Sequence, residues 1–115
     1  MEAQIVFNAQ LKRGSLELLI LTLLEAEARH GYQIGKLIES HSRGKLQFAL
    51  PSLYTTLLRL EERGWIKGRW VEKPGRRQRC FYRLTSQGRR QLASHRKDWQ
   101  EYVRAVNRVM ESAHA

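Results

Sequence analysis

The sequence predicts a mostly α-helical fold with one small β-hairpin and a long C-terminal helix. Residues 15–64 contain leucine-rich segments with helical spacing, separated by glycines of the kind that end helices. A Pro-Gly turn at 74–75 then stands between two short segments rich in aromatic and β-branched side chains, as in a hairpin. Residues 85–112 repeat apolar side chains at intervals of three, four and seven, which is typical of a helix that packs along a seam.

The first three helices are expected at about residues 15–29, 32–42 and 51–64, with a connector at 45–50 that includes a short strand at 46–48. Ser15 is a suitable N-cap for the first helix, and the pair His30-Gly31 is suited to end it. Pro51 fits the first turn of the third helix, where its missing N–H does no harm, and Gly64 fits the position beyond its end. The first helix is apolar nearly all round and is therefore expected at the centre of the core.

The third helix has one apolar and one polar face. At about 100° per residue, Leu53, Leu57 and Leu60 fall close together, so we expect them to face the core. The opposite arc carries the hydroxyl and guanidinium groups of Ser52, Thr55, Arg59 and Arg63.

The hairpin is followed directly by the last helix. Two strands are expected at about residues 65–73 and 78–84, with a cationic turn at Pro74-Gly75-Arg76-Arg77. Thr85 is expected to cap a helix that runs to about Ser112 and is roughly 42 Å long.

The apolar seam of this last helix predicts contact with a second copy of the chain, because the helix is longer than the domain that it leaves. The alternative is a seam that folds back on its own core, and it has less weight because the first three helices already bury one another. We therefore expect a compact domain at residues 1–84 and a dimerisation helix at 85–115. The predicted dimerisation residues are Leu92, Trp99, Tyr102, Val103, Val106, Val109 and Met110.

The basic residues are concentrated in one part of the chain. The 115 residues are 42% hydrophobic, which is enough for one modest core, and they carry a formal net charge of +10. Twelve basic residues and one acidic residue, Glu72, lie between Arg63 and Lys97, so the whole surplus is in this block. An ordinary solvated surface is the plain alternative, but repulsion among twelve cations has a cost that a bound polyanion would relieve. The block favours nucleic acid or an acidic membrane surface as the partner.

The apolar stretches and the single cysteine argue against a membrane-spanning protein and against a secreted protein. The longest apolar stretch, Leu18 to Leu24, is interrupted by Thr22 and is far shorter than the roughly 20 residues of a membrane-spanning helix. The first residues lack the pattern of a secretory signal, and the single cysteine, Cys80, cannot form an intrachain disulfide, so we expect a cytoplasmic protein. Cys80 is in a predicted strand and is expected to be a packed thiol.

An enzyme is disfavoured because the chain lacks the groups that catalysis or metal binding would need. The four histidines are scattered, one cysteine cannot build a usual zinc site, and the glycines do not match a phosphate-binding loop. We expect no enzymatic activity, no metal and no cofactor.

The order of the predicted elements is that of a winged helix-turn-helix: three helices, a hairpin with a basic tip and a long final helix. In that fold the third helix enters the major groove of double-stranded DNA, and the hairpin, or wing, contacts the backbone or the adjacent minor groove. A solvated side chain is the alternative at each single position. Base edges or nearby phosphates are expected to be contacted by Ser52, Thr55, Thr56, Arg59 and Arg63, and phosphates by Arg76, Arg77 and Arg79.

Two other kinds of partner remain open. A winged helix can bind RNA or a protein, and aromatics for base stacking would come from Trp65, Trp70, Phe81 and Tyr82, although strand alternation would bury about half of them. Membrane-surface binding has less weight, because the basic block lacks an amphipathic helix with a broad apolar face.

Three stretches of the sequence resemble the PadR family of bacterial transcriptional regulators. These stretches are HGYQI (30–34), SLYTTLLRLEERGWI (52–66) and RCFYRLTSQGRRQL (79–92). The resemblance covers about residues 11–112 and is to the short branch of the family. It implies a cytoplasmic homodimer that represses transcription from a palindromic promoter site, with the last helix contributing to dimerisation.

The resemblance also implies roles for three aromatic residues. Tyr54 matches the tyrosine of the family's third helix and Tyr32 the tyrosine that opens its second helix, and both hydroxyls are candidates to contact the DNA backbone. A partly buried structural aromatic is the alternative for Tyr54. Trp99 matches the position where multidrug-responsive relatives stack planar aromatic compounds, which makes a small aromatic effector a hypothesis. The favoured role for Trp99 is that of a residue in the helix seam.

Overall fold

The computed structural model describes residues 15–72, 74–75 and 78–113. Within these ranges the chain forms four helices and three strands, which confirms the predicted architecture of a mostly helical domain with a hairpin and a long last helix. In chain order they are α1 (Leu16–Ala26), β1 (Arg29–His30), α2 (Gly31–His41), α3 (Leu50–Glu62), β2 (Ile66–Val71), β3 (Arg79–Leu84) and α4 (Ser86–Ser112).

Helix α1 lies at the centre of a single hydrophobic core. Ile20 and Leu21 are completely buried, as expected for a helix that is apolar nearly all round. Leu53, Leu57 and Leu60 of α3 are also completely buried, which confirms the predicted inward face of that helix. Full burial of each such side chain contributes about 1.5–3 kcal/mol, so this cluster is the main source of stability.

The hairpin is part of a three-stranded antiparallel sheet with the order β1-β3-β2. The sequence analysis missed β1 and expected His30-Gly31 to end the first helix. Instead α1 ends at Ala26, the strand of Arg29 and His30 pairs with Tyr82 and Phe81, and Gly31 begins α2. A strand of two residues shows no alternation in the sequence, because it forms only against β3. The short strand expected at 46–48 is not formed, since Leu46 and Phe48 pack against the core instead.

One junction connects the end of α3, the root of the hairpin and the start of α4. Gly64 has a φ of +79°, which glycine adopts without strain, and it ends α3 as predicted. Thr85 caps α4, because its Oγ1 accepts a hydrogen bond from the Gly88 N–H at 3.0 Å, and the same hydroxyl donates to the Gly64 carbonyl at 2.6 Å. A Cβ at Gly88 would collide with the backbone carbonyl of Trp65, so the close approach of α4 requires glycine there.

Helix α4 has a packed first part and an exposed second part. Leu92 is only 1% exposed and packs in the core, and Arg96 Nη2 lies 3.1 Å from Glu25 Oε1 of α1. The prediction that Leu92 contacts a second copy is therefore wrong, because the first turns of α4 lie against α1 of the same chain. From Lys97 onward every described residue of α4 is exposed.

Among the described residues, none of the helices combines the length and the apolar composition that crossing a membrane requires.

Candidate nucleic-acid interface

The polar face of α3 is exposed along its length. Ser52, Thr55 and Arg59 all point away from the buried leucines, as the helical spacing predicts. The prediction that Thr56 contacts DNA is wrong. Thr56 is 3% exposed, and its hydroxyl donates to the Ser52 carbonyl at 2.8 Å. It lies about 40° from Leu60 around the helix, which is on the inward side, so its side chain cannot reach DNA.

The exposed face of α3 offers hydroxyl groups and a guanidinium for hydrogen bonds to DNA. The Thr55 hydroxyl donates to the Pro51 carbonyl at 2.8 Å, which leaves its oxygen free only to accept a hydrogen bond from a base amino group. The Arg59 guanidinium is exposed, and its Nη2 makes one long contact of 3.5 Å with Thr56 Oγ1. Arg59 therefore retains donors that can bind guanine O6 and N7 or a phosphate.

Arg63, at the end of α3, already has two partners within the chain. Its Nη1 lies 2.9 Å from Glu17 Oε1 of α1, and its guanidinium lies 5.1 Å from the centre of the Trp65 ring. A contact between Arg63 and DNA would have to compete with both interactions.

Tyr32 and Tyr54 both lie near the start of α2, and each is about half exposed. The Tyr54 ring lies directly over Gly31, where a Cβ would come within 3.0 Å of three of its atoms. Lys36 Nζ lies 5.6 Å from the centre of the Tyr32 ring, which is the geometry of a cation–π contact. The Tyr54 ring is therefore packed against Gly31, while the rest of the side chain remains accessible to solvent.

A groove of about 530 Å³ separates the hairpin from the beginning of α2 and from Tyr54 of α3. The sequence analysis named Trp70 only as a stacking aromatic for RNA, but the structure places it in this groove with 67% of its surface exposed. Trp65, Phe81 and Tyr82 are each partly buried. The groove is lined on its two sides by Tyr32, Tyr54, Trp70, Arg79, Cys80 and Tyr82.

Arg79 is exposed and lies against His30, with Nη1 3.0 Å from Nε2 of the imidazole. His30 is the N-cap of α2, since its Nδ1 accepts from the Gln33 N–H at 3.2 Å, and its ring meets Phe81 edge to face. Burial, and secondly the positive charge of Arg79, lower the pKa of His30 below its ordinary value of 6.5. Arg76 and Arg77, the other predicted phosphate contacts, lie outside the described residues.

The root of the hairpin is fixed to α3 by a hydrogen bond. Glu61 Oε2 accepts from the Gly68 N–H at 2.9 Å, and Tyr82 packs against the core on the same face of the sheet. Burial, followed by a hydrogen bond to Cys80, raises the pKa of Tyr82, so this side chain stays an uncharged phenol. The thiol of Cys80 is partly buried.

The exposed part of α4 presents a row of large apolar side chains. Trp99 is 41% exposed, and its ring lies 6.2 Å from that of Tyr102 at 35°. The other exposed members of the row are Val103, Val106, Val109 and Met110. No residue of the described ranges buries these side chains.

Within the described ranges, no three His, Cys, Asp or Glu side chains come together as a metal site would require.

The sequence profile of the transcriptional regulator PadR-like family matches residues 20–94. The chain belongs to this family. Its solved relatives include a transcriptional regulator from Clostridium thermocellum, with a TM-score of 0.82 and 27% identity over 90% of this chain and 97% of that one. A PadR family transcriptional regulator from Eggerthella lenta has a TM-score of 0.80 and 29% identity, over 89% of this chain and 87% of that one.

A curated relative from Lysinibacillus sphaericus, described as an uncharacterized protein, is 30% identical over 86% of this chain and 91% of its own length. The resemblance of residues 30–34, 52–66 and 79–92 to PadR proteins is thus confirmed. The PadR-like family consists of transcriptional regulators and not of enzymes, and its DNA-binding part is a winged helix.

Proposed function

We propose that this PadR-family protein is a cytoplasmic, homodimeric repressor that binds a palindromic promoter site in double-stranded DNA. In this proposal Ser52, Thr55 and Arg59 of α3 contact base edges in the major groove, and the hairpin contacts the sugar-phosphate backbone. One observation carries the proposal. Tyr54 of α3 and Trp70 and Arg79 of the hairpin line the same groove, so the recognition helix and the wing border one surface.

The charge distribution supports a polyanionic partner for this surface. Twelve basic residues and one acidic residue lie between positions 63 and 97, which include the whole hairpin. Neutralising phosphates with this block releases counterions, so DNA binding should weaken steeply as salt rises. The solved PadR relative from Eggerthella lenta is itself described as a transcriptional regulator.

The exposed apolar row on α4 supports the dimer. Six large apolar side chains on one side of a solvent-exposed helix are unfavourable unless another surface covers them. A second copy offers the same row, and the two-fold symmetry of the pair would match a palindromic site. Trp99 and Tyr102 would then lie near the centre of the dimer, where a planar aromatic effector could stack. Quenching of Trp99 fluorescence by such compounds tests this part of the proposal.

Selection of genomic fragments by the full-length protein at physiological salt tests the proposed function. We expect a palindromic consensus whose half-sites are about one helical turn apart. Salt-sensitive binding to every fragment without a consensus would contradict sequence recognition and favour an RNA or protein partner.

Arg59 is the residue expected to contribute most to base preference. Arg59→Ala should weaken binding to the selected site by roughly tenfold to a hundredfold and relax the preference at one base pair. Fluorescence anisotropy with the selected site and its single-base variants measures both effects. Arg104→Ala, which removes an exposed arginine of α4, is the matched control. Equal loss on every duplex would contradict base contact by Arg59.

A further inference from the structure

We infer that the groove beside the hairpin holds the deoxyribose-phosphate backbone of one DNA strand, with Trp70 as its apolar contact. The inference rests on the proposed function and extends it, because it adds an uncharged residue to an interface otherwise described by hydroxyls and cations.

The register of the hairpin explains why Trp70 is uncovered. Successive residues of a strand point to opposite faces, so Ile66, Gly68 and Trp70 share the inner face of β2. Ile66 is buried in the core, and Gly68 is partly buried beside Tyr82. Trp70 is the next residue outward on this face and lies beyond the edge of the core. The inner face thus ends in a large indole, and 67% of the Trp70 surface is exposed.

The borders of the groove match the alternating chemistry of a nucleic-acid strand. Tyr32 and Tyr54 place exposed phenol groups on one side, and Arg79 lines the hairpin side, where its guanidinium lies against His30. A strand of DNA alternates apolar deoxyribose rings with anionic phosphates. The indole of Trp70 can pack against the sugar while the phenol and guanidinium donors bind the flanking phosphates.

The charge around the groove argues against a second copy as its occupant. The lining of the groove includes the cationic residue Arg79, and no carboxylate is among its described lining residues. Two such surfaces would repel each other, whereas a polyanion is complementary to them.

The salt dependence of binding distinguishes an uncharged backbone contact from a contact made by a cation. Removing Trp70 should weaken binding to every duplex alike and leave the salt dependence unchanged, because no phosphate charge loses its partner. Arg79→Ala should instead lower the slope of log K against log salt by about one.

The experiment measures the binding of fluorescein-labelled duplexes by anisotropy at several salt concentrations. One duplex carries a site selected from the genome and one has an unrelated sequence, and the proteins are wild type, Trp70→Ala, Trp70→Phe and Val71→Ala. Trp70→Ala should bind both duplexes roughly tenfold more weakly with the wild-type salt slope, and Trp70→Phe should recover most of the affinity. Val71→Ala, on the opposite face of the same strand, should bind like wild type.

The possible failures are distinguishable. If wild type binds duplex DNA and Trp70→Ala binds it equally well, the inference is wrong and the proposed function stands. A loss confined to the selected site would overturn backbone contact in favour of base contact. If the wild-type protein binds neither duplex, the proposed function itself fails. Circular dichroism of Trp70→Ala checks that this exposed position leaves the fold intact.

Discussion

Leu92 and Trp99 are separated by seven residues on one side of α4, yet Leu92 is 1% exposed and Trp99 is 41% exposed. The difference follows from the lengths of two neighbouring helices. The 11 residues of α1 extend about 16 Å, whereas the 27 residues of α4 extend about 40 Å. Helix α4 therefore passes beyond the core that the described residues form. Apolar spacing identifies a surface that needs a partner, and the length of the neighbouring helix decides whether the same chain supplies one.

The largest effect is expected in the packed part of α4. Leu92→Ala should lower the free energy of unfolding by about 2–5 kcal/mol, because it removes most of a side chain that is 1% exposed and leaves a cavity in the core. Urea denaturation measures the loss, which should be the same at low and high protein concentration. If the loss of stability disappears at high protein concentration, Leu92 lies in the contact between copies, and the contrast between the packed and exposed parts of α4 is wrong.

The exposed part of α4 should respond in the opposite way. Val106→Glu places a charge in the middle of the apolar row and should weaken the dimer at least about tenfold, while the fold of each chain is retained. Sedimentation at several protein concentrations measures the dimer, and unfolding should lose its dependence on concentration. Gln100→Glu adds the same charge on another side of α4 and should leave the dimer intact. A monomeric wild-type protein would contradict the proposed pairing outright.

The smallest expected effect is on the pH dependence of the melting temperature, and it again separates the packed domain from the exposed part of α4. His30 lies in the packed domain, whereas the apolar row of α4 contains no histidine or carboxylate. Because the pKa of His30 is lowered on folding, the neutral ring stabilises the fold above pH 6.5, and this contribution is lost as the pH falls below that value. The melting temperature of the wild type should therefore fall more between about pH 7.5 and pH 5.5 than that of His30→Asn, which keeps an acceptor for the N-cap. Equal falls in the two proteins would show that His30 does not control this change.

Local periodicity was sufficient to predict the face of α3. The inward leucines and the exposed Ser52, Thr55 and Arg59 follow from one helix alone, and only Thr56, at the edge of the inward arc, was assigned to the wrong side. The cap at Thr85 was also predictable, because a capping hydroxyl acts within one turn.

The remaining features depend on distances between elements. Strand β1 exists because β3 lies beside it, and the exposure of Trp70 depends on how far the hairpin extends past the core. The ion pair of Arg63 with Glu17 joins residues 46 positions apart and has no local signal. These interactions are set by tertiary packing, so no spacing within the sequence indicates them.

The Thr85 hydroxyl connects Gly64, just beyond the end of α3, to the first turn of α4 within one hydrogen-bonded junction. The hydrogen bonds of Thr85 and the close approach of Gly88 to Trp65 therefore fix the direction of the helix proposed to join two copies relative to the helix proposed to face DNA. In a pair of chains, the crossing angle of the two α4 helices would set the separation of the two α3 helices. A compound that changed this angle by a few degrees at the dimer centre would move both α3 helices out of register with consecutive major grooves.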